Sequence, residues 1–314
     1  MTTSKSVNKM FLILVVLYIG MSFLIGSRSV QEMPMVVTLL ISQGMVLVPG
    51  LLYCILKKIS IRELIPFKKM KLSVWILVIV CTYLMYPLMV VLNAVSLFFV
   101  KSATAEMINV LSGQGIVFAT LFMAVLPAFV EEFIFRGILF GTYKKSKMLP
   151  AIFLSAFLFG CMHMNLNQFF YAFALGIYLA FLVEATGSIL SSMLAHFTIN
   201  FTAVALNFLM QHISGALQQG TDMLENNSGD FLNTLGTENM IILLVGILFW
   251  MVIAIGTTAG AVGIFIAISK ISGRWDYIKG MFKLGDRKAL ITLPLIITVI
   301  LMFAVMLGSA MGWW

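Results

Sequence analysis

Charge is scarce in this chain. Lys, Arg, Asp and Glu make up 10% of its 314 residues, and there are only three histidines. An ordinary soluble domain carries about 25% charged residues. No window of about 20 residues reads as a soluble extramembrane domain. Cysteine is sparse too: Cys54, Cys81 and Cys161 all lie inside apolar runs, spaced neither as a metal site nor as a disulfide framework. A Walker A loop, a G-x-S-x-G elbow and an H-E-x-x-H zinc helix are all missing. These absences exclude a soluble enzyme, a disordered chain and a disulfide scaffold. What is abundant is apolar surface, at 61% hydrophobic residues and a mean hydropathy of +1.06. Such a chain must fold in a bilayer, as helices that satisfy their own backbone hydrogen bonds.

Apolar runs of spanning length fall at 8–26, 34–56, 73–100, 116–142, 149–164, 168–184, 187–210, 239–269 and 289–311. They predict an all-α, polytopic transmembrane bundle of about nine spans in one membrane-integral domain, 1–314. The first run is read as a retained helix, because no A-x-A-like cleavage site follows it. Placing the N-terminus in the cytoplasm puts every Lys and Arg except Arg28, Lys101 and Arg136 at the cytoplasmic ends of spans. That is the positive-inside pattern. The basic loops orient the chain and touch anionic lipid, so the net charge of +8 needs no nucleic-acid partner. The loop 211–238 falls outside and carries Asp222, Glu225, Asp230 and Glu238 without a basic residue. It also holds Asn226-Asn227-Ser228, a sequon that matters only in an organism that glycosylates. Gly256-Thr257-Thr258-Ala259-Gly260 reads as a close-packing GxxxG, expected to work within the chain.

An ionisable residue inside an apolar run is a functional candidate by default. Those here are Glu131, Glu132 and Arg136 in the fourth run, His163 at the end of the fifth and His196 in the seventh. Glu184 sits at a span end, where it is expected to reach water. Glu132 and Arg136 are four apart and face the same side of a helix, so they pair. Glu131 points about 100° away and lacks that counter-ion, which separates the roles of the two carboxylates. Pro127 removes a backbone donor just before the pair. His196 and Asn200 are one turn apart, and two such donors suit an oxyanion. Measured at about 1.5 Å per residue from the basic ends, Glu131, His163, His196 and Asn200 fall in one layer, at roughly 14–21 Å. The agreement predicts one site, reached more easily from the cytoplasmic side.

Two chemistries fit these residues. In one, Glu131 as general base, helped by His163, activates water for attack on a carbonyl, and His196 with Asn200 holds the oxyanion. In the other, Glu131, His163 and His196 bind zinc with an open fourth position. Two non-hydrolytic readings compete. The cluster could serve only as structure in an immunity or scaffold protein, or Glu131 and His163 could relay protons in a transporter.

The motifs carry a resemblance. Glu131-Glu132-Phe133-Ile134-Phe135-Arg136 reads EExxxR, Phe159-Gly160-Cys161-Met162-His163 reads FxxxH, and His196-Phe197-Thr198-Ile199-Asn200 reads HxxxN. In this order, on successive apolar helices, they resemble the CPBP family of CAAX proteases and bacteriocin-processing enzymes, also called the Abi family. The resemblance covers about 116–205, a CPBP-like catalytic core. It implies an intramembrane endopeptidase with a water-filled cavity. Glu131 would be the catalytic glutamate, His163 its partner in activating water, His196 and Asn200 the oxyanion hole, and Glu132 and Arg136 supporting residues. The family has been described both as zinc-dependent and as metal-free. The metal-free version is favoured, because His196 paired with Asn200 suits an oxyanion better than a zinc shell. The implied partners are a membrane-embedded or lipidated peptide and the bilayer itself. The compact chain looks most like a bacterial, cytoplasmic-membrane member.

Overall fold

The computed structural model describes residues 3–26, 35–61, 65–97, 100, 114–221, 237–283 and 289–311. Side chains at 25–26, 35, 214–221 and 237–244 are not part of that description. Arg28, Arg62, Lys101, Arg287, Lys288, the acidic centre of the 211–238 loop and its sequon lie outside the described residues, as does the side chain of Glu238. Among the described residues the chain is helical and has no strand; a single bridge pairs Phe67 with Ser188.

The described residues form ten helices in order: α1 (Ser4–Gly26), α2 (Met35–Leu56), α3 (Leu72–Ser96), α4 (Ile116–Tyr143), α5 (Met148–Met162), α6 (Leu166–Thr186), α7 (Ile189–Thr221), α8 (Thr237–Ile271), the short α9 (Trp275–Gly280) and α10 (Leu293–Ala310). Eight of them are long and apolar enough to cross a membrane, and the protein is a multi-pass membrane protein. The fifth apolar run differs from expectation. Its helix, α5, has 15 residues, about 22 Å, short of the roughly 30 Å hydrocarbon core.

Local chemistry sets the breaks around α5 and α6. Asn165 is extended, and its side-chain oxygen accepts from the backbone N–H of Asn167 at 2.7 Å and of Gln168 at 3.3 Å, capping α6. At the other end Gly187 is left-handed, φ 70°, and its N–H returns to the Val183 carbonyl at 2.8 Å. The turn is so tight that α7 begins two residues later. Gly176 lets α5 and α6 close on each other, since a Cβ there would stand 2.8 Å from the Ala156 backbone.

Helix α4 is the centre of the bundle and touches α1, α2, α5, α6 and α7. Helix α8 lies mainly along α3. The GxxxG of α8 does not mediate close packing within the chain. A Cβ on Gly256 or Gly263 would meet open space, and one on Gly260 only Leu84 at 3.6 Å.

The basic segments gather at one end of the molecule. Asn8 donates to the Leu290 carbonyl and to Thr292 Oγ1, both at 2.9 Å, and accepts from the Tyr143 hydroxyl. Lys68 donates to the Ser272 carbonyl at 3.0 Å. The Ile189 N–H donates to the Pro66 carbonyl at 2.8 Å. Glu184 joins two of these segments. Its carboxylate receives Lys144 Nζ and the Tyr277 hydroxyl, each at 2.7 Å, and Arg274 Nη2 at 3.4 Å. Far from reaching water, this carboxylate is 1% exposed. The sequence reading missed it because two of its partners lie about 90 residues away.

Candidate active site

The site is built on the middle of α4. Pro127 has no N–H to offer the Met123 carbonyl one turn back. The turn before it, Leu121–Val125, winds wider as a π-helix, and a second π stretch runs over Phe133–Phe140. Such bulges collect at functional sites. The Met123 carbonyl takes a replacement donor from α7, Asn200 Nδ2 at 3.0 Å. One proline thus explains why a polar side chain of α7 is bound at this depth. The Asn200 amide carries a second N–H.

The two adjacent glutamates occupy different environments, as their helical offset predicts. Glu132 is fully buried and bridges an arginine and a histidine. Arg136 Nη1 donates to its Oε1 at 2.8 Å, and His196 Nδ1 lies 3.0 Å from the same atom. Glu131 is 19% exposed and faces a cavity of about 690 Å³. Its Oε2 is enclosed without a protein hydrogen-bond partner and lies 3.9 Å from His196 Nε2.

Both histidines are held by Nδ1. In His163 that atom is 2.9 Å from the Phe159 carbonyl, one turn earlier. A carbonyl only accepts, so Nδ1 carries the proton and Nε2 keeps its lone pair in the neutral ring. In His196 the acceptor is the Glu132 carboxylate, a partner that also supports the imidazolium, in which Nε2 donates as well.

Phe159 organises the group. The Arg136 guanidinium lies 4.3 Å over its ring, and the rings of His163 and His196 meet it edge-on at 5.1 and 5.7 Å. Arg136 also donates to the Gly176 carbonyl at 3.3 Å, so the close approach of α5 and α6 reaches the site directly.

Glu131 on α4, His196 and Asn200 on α7, and His163 at the end of α5 all line the same cavity. Glu132 and Arg136 stand behind it, packed out of contact with it. Asn93 on α3 is both part of the cavity wall and held by a neighbour. It lines the cavity and accepts from Asn167 Nδ2 at 3.0 Å, while Asn167 also donates to Ser96 Oγ at 2.7 Å. This bracket ties α3 to the turn that carries His163. Gln43 and Tyr18 were missed, because nothing in an apolar run marks a residue as facing a cavity, and Phe159 was noted only as the first residue of FxxxH, without a role.

Toward the basic end, where easier access was expected, the site is backed by packed residues. From Glu132 to Tyr143 every residue of α4 is buried, as are Ser188, Ile189, Ser191 and Ser192 at the start of α7. That side of the site is solid. For a metal, the test is whether ligands converge. Among the described residues no three His, Cys, Asp or Glu side chains are grouped to hold an ion, so the set Glu131, His163 and His196 does not fit as a zinc shell in this arrangement.

Comparison with known families falls on this same stretch. Residues 113–202 match the family model described as Rce1-like, type II CAAX prenyl endopeptidase. The match covers less than a third of the chain and takes in all three motifs. No curated protein matches, and no solved structure matches.

Proposed function

We propose, starting from a site-bearing stretch that matches the CAAX prenyl endopeptidase family, that this protein hydrolyses a peptide bond of a membrane-embedded or lipidated peptide, with Glu131 as general base. The observation that carries the reading is Glu131 itself, an unpartnered carboxylate oxygen facing a cavity while its neighbour Glu132 is held by Arg136 and His196. Carboxylates kept only for structure acquire partners, because burying an unpaired one is costly.

The residues divide the work as follows. Water between Glu131 and His163 gives a proton to the carboxylate as its oxygen attacks the substrate carbonyl carbon. The carbonyl oxygen becomes an oxyanion, received by His196 Nε2–H and the second N–H of Asn200. The C–N bond then breaks, and the leaving amine takes the proton held by Glu131, with His163 as relay. The scheme takes His196 as the imidazolium, whose Nε2–H is the donor it needs. With both glutamates ionised, Arg136 and the imidazolium make the four-group cluster neutral. When Glu131 is protonated, the new oxyanion replaces its charge beside His196, so the surroundings need little reorganisation. The protein works in the bacterial cytoplasmic membrane, with its basic loops inside.

The test compares peptide termini in membranes and medium of a host making the wild type with those of a host making Glu131→Gln at matched protein levels. Removing a general base is expected to cost about 10²–10⁴-fold in rate. New termini that vanish in the variant bear out proteolysis. Identical profiles from two folded proteins overturn it in favour of a structural role.

A further inference from the structure

We infer that the cavity is entered from the half of the molecule away from the basic loops, through the space between α2 and α3. The bond cut would then belong to a bilayer-anchored peptide segment displayed on the side opposite those loops. The inference rests on the hydrolytic reading for its substrate, but its geometry stands independently.

Depth along the helices carries the argument. Cavity-lining residues closest to the basic end are His196, about 10 Å beyond Ile189, and Phe135, about 12 Å before Tyr143. From that floor the walls extend only one way. Phe122 lies about 32 Å from Tyr143, and Asn93 about 32 Å from Leu72, close to the far ends of α4 and α3. Toward the basic end the floor is backed by Phe140, Tyr143, Ser188 and Ser191, all fully or almost fully buried.

The wall itself has a seam. Helix α2 contributes Leu39, Ser42, Gln43 and Val46 to the cavity, and α3 contributes Tyr86, Met89, Val90 and Asn93. Helix α2 packs on α1 and α4, and α3 on α6, α7 and α8, but α2 and α3 form no packed pair among the described residues. Gln43 Oε1, on this seam, is enclosed with no hydrogen-bond partner. An enclosed amide oxygen without a donor is expensive, and the backbone N–H of an extended peptide supplies one. A segment sliding between α2 and α3 meets Gln43 and Asn93 before it reaches Glu131.

The test uses single cysteines in a background where Cys54, Cys81 and Cys161, all buried, are replaced by alanine. Val90→Cys and Ala203→Cys report on the cavity wall, Leu39→Cys provides a second reporter on α2, and Lys69→Cys marks the basic end. A membrane-impermeant thiol reagent is applied to sealed right-side-out and inside-out vesicles. The cavity cysteines are expected to react from the face at which Lys69→Cys does not, and to lose labelling from the other. Reaction from the same face as Lys69→Cys overturns the inference. So does protection from both faces in folded protein that labels fully once denatured. Labelling needs no turnover, so a failed cleavage assay and a failed access experiment are separate results.

Discussion

At the scale of single residues, the adjacent glutamates should fail in opposite ways. Glu131→Gln removes a group with no protein hydrogen bond on Oε2, so the melting temperature in detergent should hold while cleavage is lost. Glu132→Gln leaves Arg136 and His196 buried around a neutral amide. Removing one partner of a buried ion pair typically costs about 3–5 kcal/mol, so this variant should melt markedly lower. Equal melting of the two variants would refute the division. Much of this was legible in the sequence, because helical offset alone separates Glu131 from Glu132 and joins Glu132 to Arg136. The link from Glu132 to His196 was not, since it crosses 64 positions and depends on how α4 and α7 pack. Phe159 was legible as the first residue of FxxxH, but its place under Arg136 and between two histidines was not.

At the scale of elements, two contacts make distinct predictions. Gly176→Val should push α5 and α6 apart at Ala156. Overpacking of this kind costs about 1–3 kcal/mol, and cleavage should fall with it, because the Gly176 carbonyl also receives Arg136. A melting curve and a cleavage assay on one preparation check both. At the basic end, burial and the hydrogen bond to Glu184 push the Tyr277 phenol above its ordinary value of 10.0. A raised folded value means that its contribution is complete below about pH 10 and is lost as pH climbs beyond it. Wild type should therefore lose stability above that point more steeply than Tyr277→Phe, as read by melting temperature across an alkaline series. Helix boundaries were mostly readable, since long apolar runs announce themselves. The run behind α5 was visibly short in the sequence, at 149–164, though it was still counted as a span. The π winding of α4 was signalled only by Pro127.

At the scale of the whole molecule, the clustering of the basic segments agrees with the charge pattern of the sequence. The contacts of Asn8, Lys68 and Glu184 bring together segments that the alternation of spans had placed on one side. The side from which the site opens was not legible. Distance to a helix end counts residues, and it cannot tell packed residues from an open wall. For the chemistry as a whole, cleavage should survive exhaustive treatment with a strong chelator, measured against a zinc peptidase treated alongside. Loss of cleavage that zinc restores would replace the glutamate–water scheme with the metal one.

The buried run of α4 from Glu132 to Tyr143 has one more consequence. A water-bearing chamber with titrating groups halfway across a bilayer is half of a proton wire. Moving one charge through the remaining barrier is worth about 2.3 kcal/mol per 100 mV, and a second aqueous path would let that energy drain continuously. The packed side chains below Glu131 act as an insulator. Under the proposed hydrolysis they would let the reaction run deep in an energised membrane without leaking the gradient, and a polar substitution such as Ile138→Ser is where such a leak would begin.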